Sequence, residues 1–198
     1  MVTHDTRQPE YTVRLQHRGA AWWKRLLDVQ APYRWHVRRL QPGFTLDIGC
    51  GLGRHLTHLG GEGVGIDHNP HSVAAARAGG LRVFTAEEFR QTPFNVPGRF
   101  DSLLLSHVLE HMKPSEAVGL LREHLPLLKA GGRVILICPQ EAGYRSDPSH
   151  VQFLDFGALR VVETEAGLEH MTEYSFPFPR WMGRLFCHNE FVSIGRKS

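Results

Sequence analysis

Two carboxylates with a run of glycines between them are the residues of this chain best placed to do chemistry. Asp47 ends the stretch Phe44-Thr45-Leu46 and is followed by Ile48-Gly49-Cys50-Gly51-Leu52-Gly53-Arg54, with glycine at every second position. Glycine lets the main chain take positive φ and lets a ligand approach it closely, and Arg54 to Leu59 reads as the start of a helix. Asp67 closes a second apolar run, Gly63-Val64-Gly65-Ile66, twenty residues after Asp47, where a carboxylate can accept both hydroxyls of an adenosine ribose. A lone glycine loop is only a tight strand-to-helix turn. The two acids around it point to an adenosine-bearing cofactor.

Two cofactor classes use such a turn. A dinucleotide site wants Gly-x-Gly-x-x-Gly, with the pyrophosphate on a helix N-terminus. Here the third glycine, Gly53, comes one position early, and Arg54 stands where that fingerprint needs glycine. Asp47 sits badly beside a diphosphate and well beside a cation. S-adenosylmethionine has no phosphate and carries an ammonium and a sulfonium, so it is the better match.

Four stretches in register carry a wider resemblance. They are Leu46-Asp47-Ile48-Gly49-Cys50-Gly51-Leu52-Gly53, then Gly65-Ile66-Asp67, then Phe100 through His111, then Gly131-Gly132-Arg133-Val134-Ile135-Leu136-Ile137. In order and spacing the chain resembles the class I S-adenosylmethionine-dependent methyltransferases, most of all small bacterial enzymes that methylate low-molecular-weight acceptors. The resemblance runs from about Phe44 to Lys197 and leaves the first forty residues outside it. It implies an α/β, Rossmann-like, doubly wound sheet of seven strands, mostly parallel with an antiparallel C-terminal strand. It also implies S-adenosylmethionine as cofactor and S-adenosylhomocysteine as product.

On that resemblance, Asp47, Gly49, Gly51, Gly53, Asp67, His68 and Ser106 belong to the cofactor site. The family usually places an acid and a small residue after the third strand, beside the adenine. Here Thr85 takes the acid's position, so Ala86 and Glu87 are the candidates, against an ordinary exposed helix start. Ser106 and His107 end the fourth strand, in the crevice where open α/β sheets bind ligands, which makes His107 a candidate to face the acceptor. Asp147-Pro148-Ser149-His150 resembles the acceptor-side loop of enzymes that methylate sugars and polysaccharide precursors. His150 has the chemistry of a general base, or it organises the loop. His107 and His111 form an i, i+4 pair that could hold a metal. No third ligand is evident by spacing, so no metal is expected, and Glu110 and His111 read as structural.

These residues need a scaffold to position them. Phe100 to Ser106 is nearly continuous in apolar residues, as a strand buried on both faces should be. Leu81 to Phe84 and Arg133 to Ile137 read as the third and fifth strands, and Leu168 to Phe178 and Glu190 to Gly195 as the last two. Val73 to Ala78 and Ser115 to Leu128 read as helices, the second broken near Pro126. Residues 1–41 form a proposed helical lid or cap before a methyltransferase domain at 42–198. There Trp22, Leu26, Val29 and Tyr33 recur at helical spacing, with Pro32 near the helix end. That segment either closes over the cofactor, with an arginine reaching a carboxylate, or simply covers the sheet.

Composition narrows the function classes. A chain of 198 residues fits one α/β domain with a substantial core. Three cysteines with no CxxC pair argue against a disulfide framework and for a reducing cytoplasm. A net charge of +3 is too small to imply nucleic acid, and the Asn/Asp-Pro-Pro-aromatic run of base-nitrogen methyltransferases is missing after the fourth strand. No run is long enough for a membrane span. The expected partner is a small-molecule acceptor, with no nucleic acid and no membrane insertion, and the chain acts as a monomer or homodimer. The acceptor atom is read as a hydroxyl of a sugar or secondary metabolite. Alternatives are a nitrogen or carbon of a lipid, quinone or other metabolite, or a non-catalytic cofactor-binding scaffold. Phe176, Phe178, Trp181 and Phe186 either wall an acceptor pocket or serve as core or dimer contacts.

Overall fold

The computed structural model describes Asp28 and residues 30–198. Trp22, Leu26, Val29 and most of the expected lid lie outside the described residues. What is described of that region is helix α1, Ala31–Arg39, with Pro32 in its first turn rather than at its end. Proline lacks an N–H, and a first-turn position has none to satisfy, so the residue that was expected to stop a helix starts one.

The sheet has seven strands: β1 Thr45–Ile48, β2 Gly63–Ile66, β3 Val83–Phe84, β4 Phe100–Ser106, β5 Leu128–Pro139, β6 Leu168–Phe176 and β7 Glu190–Lys197. Their order is β3-β2-β1-β4-β5-β7-β6. The pairs from β3 through β5 are parallel, while β7 runs antiparallel to both β5 and β6. The order reverses between β1 and β4, and a doubly wound sheet leaves its binding crevice at the C-terminal ends of those strands. Asp47, Ser106 and His107 stand there.

Burial explains why the central strands carry so little polarity. Every residue of β1 and β2 is buried, as are Leu103, Leu104 and Leu105 of β4. Parallel strands covered on both faces cannot alternate polar and apolar residues. Phe100, Leu103, Leu105, Leu121, Leu136 and Phe191 belong to one continuous core.

The helices are α2 Arg54–His58, α3 Pro70–Ala78, α4 Ala86–Phe89, α5 Pro114–His124, α6 Glu141–Arg145 and α7 Phe156–Ala166. Asn69 caps α3, its side chain accepting from the His71 and Ser72 N–H groups, and Pro70 follows at the first position. Asp155 caps α7, which Gly167 closes with φ +86°. Several bounds shift by two or three residues from the sequence reading, and two differences have a clear physical cause. Helix α5 stops at His124, because Pro126 places Leu125–Leu127 in a tighter 3-10 turn. Strand β5 begins already at Leu128, pairing with Phe100, and bulges before it resumes at Arg133 opposite Ser102. The expected glycine turn at residues 129–132 is that bulge.

Candidate functional site

The glycine loop is tied to β2 by its own backbone. Gly49 and Cys50 N–H groups both donate to the Ile66 carbonyl, at 2.8 and 3.1 Å. Gly51 N–H donates to Asp67 Oδ2 at 2.7 Å, and Asn69 N–H to Asp67 Oδ1 at 2.8 Å. Asp67 therefore clamps the loop. Each of its oxygens keeps a further lone pair for a ligand hydroxyl.

Gly49 has φ +72°, and a Cβ built there would stand 2.5 Å from Val108 Cγ2. Only glycine fits both the left-handed backbone and that space. Cys50 is buried, and burial pushes its thiol well up, so the packing role read from the sequence agrees with its surroundings.

Asp47 is 1 % exposed, and its Oδ2 has no hydrogen-bond partner. Burial pushes its pKa up to about 8, with Arg54 opposing and Asp67 reinforcing. A buried, orphaned carboxyl wants a cation. The donor side thus fits an adenosine cofactor with a cationic chain, since it offers a cradle that a Cβ would fill, an acid open to hydroxyls and a second acid short of positive charge.

Ser106 ends β4 with a buried Oγ that has no hydrogen-bond partner. His68 is exposed, its Nδ1 3.8 Å from Asp67 Oδ1. Ala86 is half-buried and Glu87 exposed at the start of α4. Thr85, at the position where the family pattern wants an acid, caps that helix instead: its hydroxyl accepts from Glu88 N–H while the Glu88 carboxylate accepts from Thr85 N–H.

A second cluster at the crevice, the candidate for the acceptor side, is built around His107, which has φ +58°. This sparsely populated backbone region is a common mark of functional sites. Its Nε2 lies 2.9 Å from Glu190 Oε1 and its Nδ1 3.2 Å from Glu110 Oε1. The second contact is an ion-pair distance but off the line of a hydrogen bond, so both Glu110 oxygens lack a directed donor. Burial pushes His107 down, but Glu110 and Glu190 prevail and raise it to about 9. Burial pushes Glu110 up, and His107 prevails there too, leaving it below the usual carboxylate range. Both His107 nitrogens face carboxylates, which suits a held cation better than a proton acceptor.

The sequence reading paired His107 with His111 as a metal candidate. Among the described residues the donors that converge are instead Glu110, His111 and His150. His150 Nδ1 is 2.8 Å from the Tyr144 carbonyl, and His150 Nε2 is 3.9 Å from Glu110 Oε1. Glu190 and the grouping of Glu110 with His150 escaped the sequence reading, because the partners lie far apart in the chain. The adjacent Glu110-His111 just after β4 was the available signal.

Helix α1 lies against β6 and the nearby loop. His36 stacks on Phe176 with ring centroids 4.0 Å apart, and Tyr33 donates to the His188 carbonyl at 2.8 Å. The late aromatic residues do not form one wall. Phe176 sits under α1, Phe178 meets Phe186 edge-on at 5.4 Å, and Trp181 is 63 % exposed.

Comparison with known proteins bears on the family and the fold. A family described as a methyltransferase domain matches residues 46–136. The ubiquinone biosynthesis O-methyltransferase of Nitrobacter winogradskyi is 34 % identical over 94 residues, covering 44 % of this chain and 35 % of that protein. The tRNA U34 carboxymethyltransferase of Aeromonas salmonicida is 31 % identical over 147 residues, 66 % of this chain and 42 % of that protein. The chain thus spans well under half the length of either relative. Among solved structures, a SAM-dependent methyltransferase from Archaeoglobus fulgidus superposes with a TM-score of 0.69 at 18 % identity, covering 96 % of this chain and all of that one. Magnesium protoporphyrin IX methyltransferase from Synechocystis PCC 6803, with bound SAH, gives 0.66 at 16 % identity over 98 % of this chain and 97 % of that one. At such identities the likeness is one of fold.

Proposed function

We propose that this chain, which carries a class I S-adenosylmethionine-dependent methyltransferase domain, transfers the methyl group to a hydroxyl oxygen of a small molecule such as a sugar or secondary metabolite. The observation that carries this reading is the buried, orphaned Asp47 beside a glycine cradle that Asp67 clamps to β2. Bound S-adenosylmethionine supplies an already activated methyl on a sulfonium. The protein's task is then to align the two reactants and exclude water. Asp67 and the glycine loop hold the adenosine half, with Ala86, Glu87 and His68 nearest the base and ribose. Asp47 offsets the cationic chain. Ser106 and His107 line the crevice between donor and acceptor, and the His111–His150 wall activates the acceptor hydroxyl.

The relatives act on a quinone precursor pathway and on tRNA by their names. A neutral metabolite is favoured here because the described residues of the candidate acceptor side gather Glu110, His111, His150 and Glu190, whose two carboxylates would repel phosphates. Calorimetric titration with S-adenosylmethionine, S-adenosylhomocysteine and a nicotinamide dinucleotide tests the donor half. Binding of the first two and not the third is expected; binding of the dinucleotide alone would sink the reading. A radiolabelled methyl-transfer screen with polyols, catechols and unmodified tRNA in parallel tests the acceptor half, and label on tRNA alone would replace the small-molecule acceptor.

Asp47 gives this reading a pH signature. A folded-state pKa raised to about 8 means that the free protein holds Asp47 protonated at neutral pH, and that the stability this contributes is lost as pH rises through that value. A cation bound beside Asp47 favours the carboxylate. Cofactor binding at neutral pH is therefore expected to release a proton and to tighten between about pH 6 and 8. Calorimetry in buffers of different ionisation heat reads the release directly. Asp47→Asn should abolish it and weaken binding roughly 10- to 100-fold, the worth of a hydrogen bond to a charged group.

A further inference from the structure

The turn after β4 and the loop before α7 are stitched together by main-chain bonds. Val151 N–H donates to the Glu110 carbonyl at 2.8 Å, and Gln152 Nε2 to the Leu109 carbonyl at 3.1 Å. This stitching sets Glu110, His111 and His150 side by side, with one donor atom of each within 4.8 Å of the other two. Glu110 is fully buried; its Oε1 faces His107 Nδ1 at 3.2 Å, off hydrogen-bond geometry, and neither oxygen receives a directed hydrogen bond.

Each imidazole is held by its other nitrogen. His150 Nδ1 lies 2.8 Å from the Tyr144 carbonyl, and His111 Nδ1 3.3 Å from the Ser149 carbonyl. A carbonyl only accepts, so these partners assign the proton to Nδ1 and leave each Nε2 as a bare lone pair. Ser149 in turn donates its hydroxyl to Asp147 Oδ1 at 2.6 Å, which fixes the residue that orients His111. A metal-binding histidine is commonly oriented in this way, with its second nitrogen bonded to a carbonyl or carboxylate. His150 Nε2 stands 3.9 Å from Glu110 Oε1. Two acceptors face each other across a gap that a cation would fill. Charge points the same way, because one imidazole, His107, serves two buried carboxylates, Glu110 and Glu190.

We propose that Glu110, His111 and His150 bind a divalent first-row transition cation, of the iron(II) to zinc(II) range, with an open position for the acceptor oxygen. Two imidazoles and one carboxylate are the donor set of catalytic zinc and non-haem iron sites, whereas magnesium and calcium prefer oxygen alone. Bonds of about 2.0–2.2 Å place tetrahedral ligands roughly 3.4 Å apart, so the three donors draw together by about 1 Å on loading. The role assigned to the open position rests on the methyl-transfer reading. The cation site itself does not. Coordination at His150 Nε2 excludes its use as a proton acceptor; the cation would instead lower the pKa of the bound hydroxyl, which gives its proton to solvent before the oxygen takes the methyl from sulfur and leaves S-adenosylhomocysteine.

Titration of cobalt(II) into the chelator-stripped full chain, followed by calorimetry and visible absorption, tests the site. One equivalent is expected in the site, with affinity lost at least 10-fold in His111→Ala and in His150→Ala, and about 10-fold in Ser149→Ala. No binding tighter than about 1 mM, or unchanged affinity in both histidine variants, would overturn the proposal and leave a proton on His150 to fill the gap. Each preparation is also titrated with S-adenosylhomocysteine, whose binding is expected to stay unchanged. A variant that loses this binding is misfolded, and X-ray absorption of the cobalt-loaded wild type then decides: two imidazoles and a carboxylate support the site, and any other donor set overturns it. Cofactor binding without cobalt leaves the methyl-transfer reading standing alone, and the reverse separates the site from it.

Discussion

Gly49→Ala is expected to remove cofactor binding and to cost roughly 2–5 kcal/mol of stability. About 1–2 kcal/mol comes from forcing a side chain into the left-handed region, since φ here is +72°. Overpacking adds about 1–3 kcal/mol, because the new methyl would stand 2.5 Å from Val108 Cγ2. Val108 sits between His107 and Glu110, so relief by moving it would disturb the acceptor side as well. For a chain of this size the melting temperature should fall by roughly 10 °C. Gly60→Ala is the control. It shares the left-handed backbone, φ +70°, but nothing lies within 4 Å of the added carbon. Only the backbone cost of about 1–2 kcal/mol is expected there, with cofactor affinity unchanged. Equal effects of the two variants on binding would show that Gly49 has no special place in the cradle.

His107→Asn is expected to destabilise the protein by about 2–3 kcal/mol near neutral pH, less than the roughly 3–5 kcal/mol of breaking a fully buried pair, because the His107 side chain is 35 % exposed and solvent screens part of its charge. Glu110 is 0 % and Glu190 5 % exposed, and His107 is the cation between them. Asparagine is chosen because it tolerates the positive φ of this position, so the loss reports charge and hydrogen bonding rather than backbone strain. Glu190→Gln should cost less, since His107 keeps Glu110 and the cluster loses its surplus negative charge. In the double variant part of the His107→Asn loss should return, and denaturant melts of the four proteins measure the coupling. A His107→Asn loss below about 1 kcal/mol would mean that solvent already screens the pair.

The two predictions rest on different levels of legibility. Gly49 could be read from the chain because a strand-to-helix turn is local: its glycines, the preceding acid and the second acid at the end of the next strand all follow from short-range geometry. The same holds for β4, whose bounds Phe100–Ser106 match the sequence reading, because a strand buried on both faces is written as an unbroken apolar run. Pro32 and the start of β5 were misread for a local reason too, since a proline fits a helix start as well as its stop, and a glycine bulge resembles a turn.

By itself, then, the sequence determined the order of the elements, the glycine turn, and the placement of Asp47 and Asp67 at the ends of neighbouring parallel strands, where the proposed donor site lies. Only the tertiary structure decided the side-chain grouping proposed for the acceptor. Glu190 meets His107 across 83 residues of chain because β7 inserts antiparallel beside β5. His150 reaches Glu110 because a loop after β5 is bonded back onto the turn after β4. No spacing encodes such encounters, for they depend on which strands become neighbours in the sheet. The charge states that follow, an imidazolium between two buried carboxylates and an acid short of a cation, depend on burial, which exists only once the chain has folded.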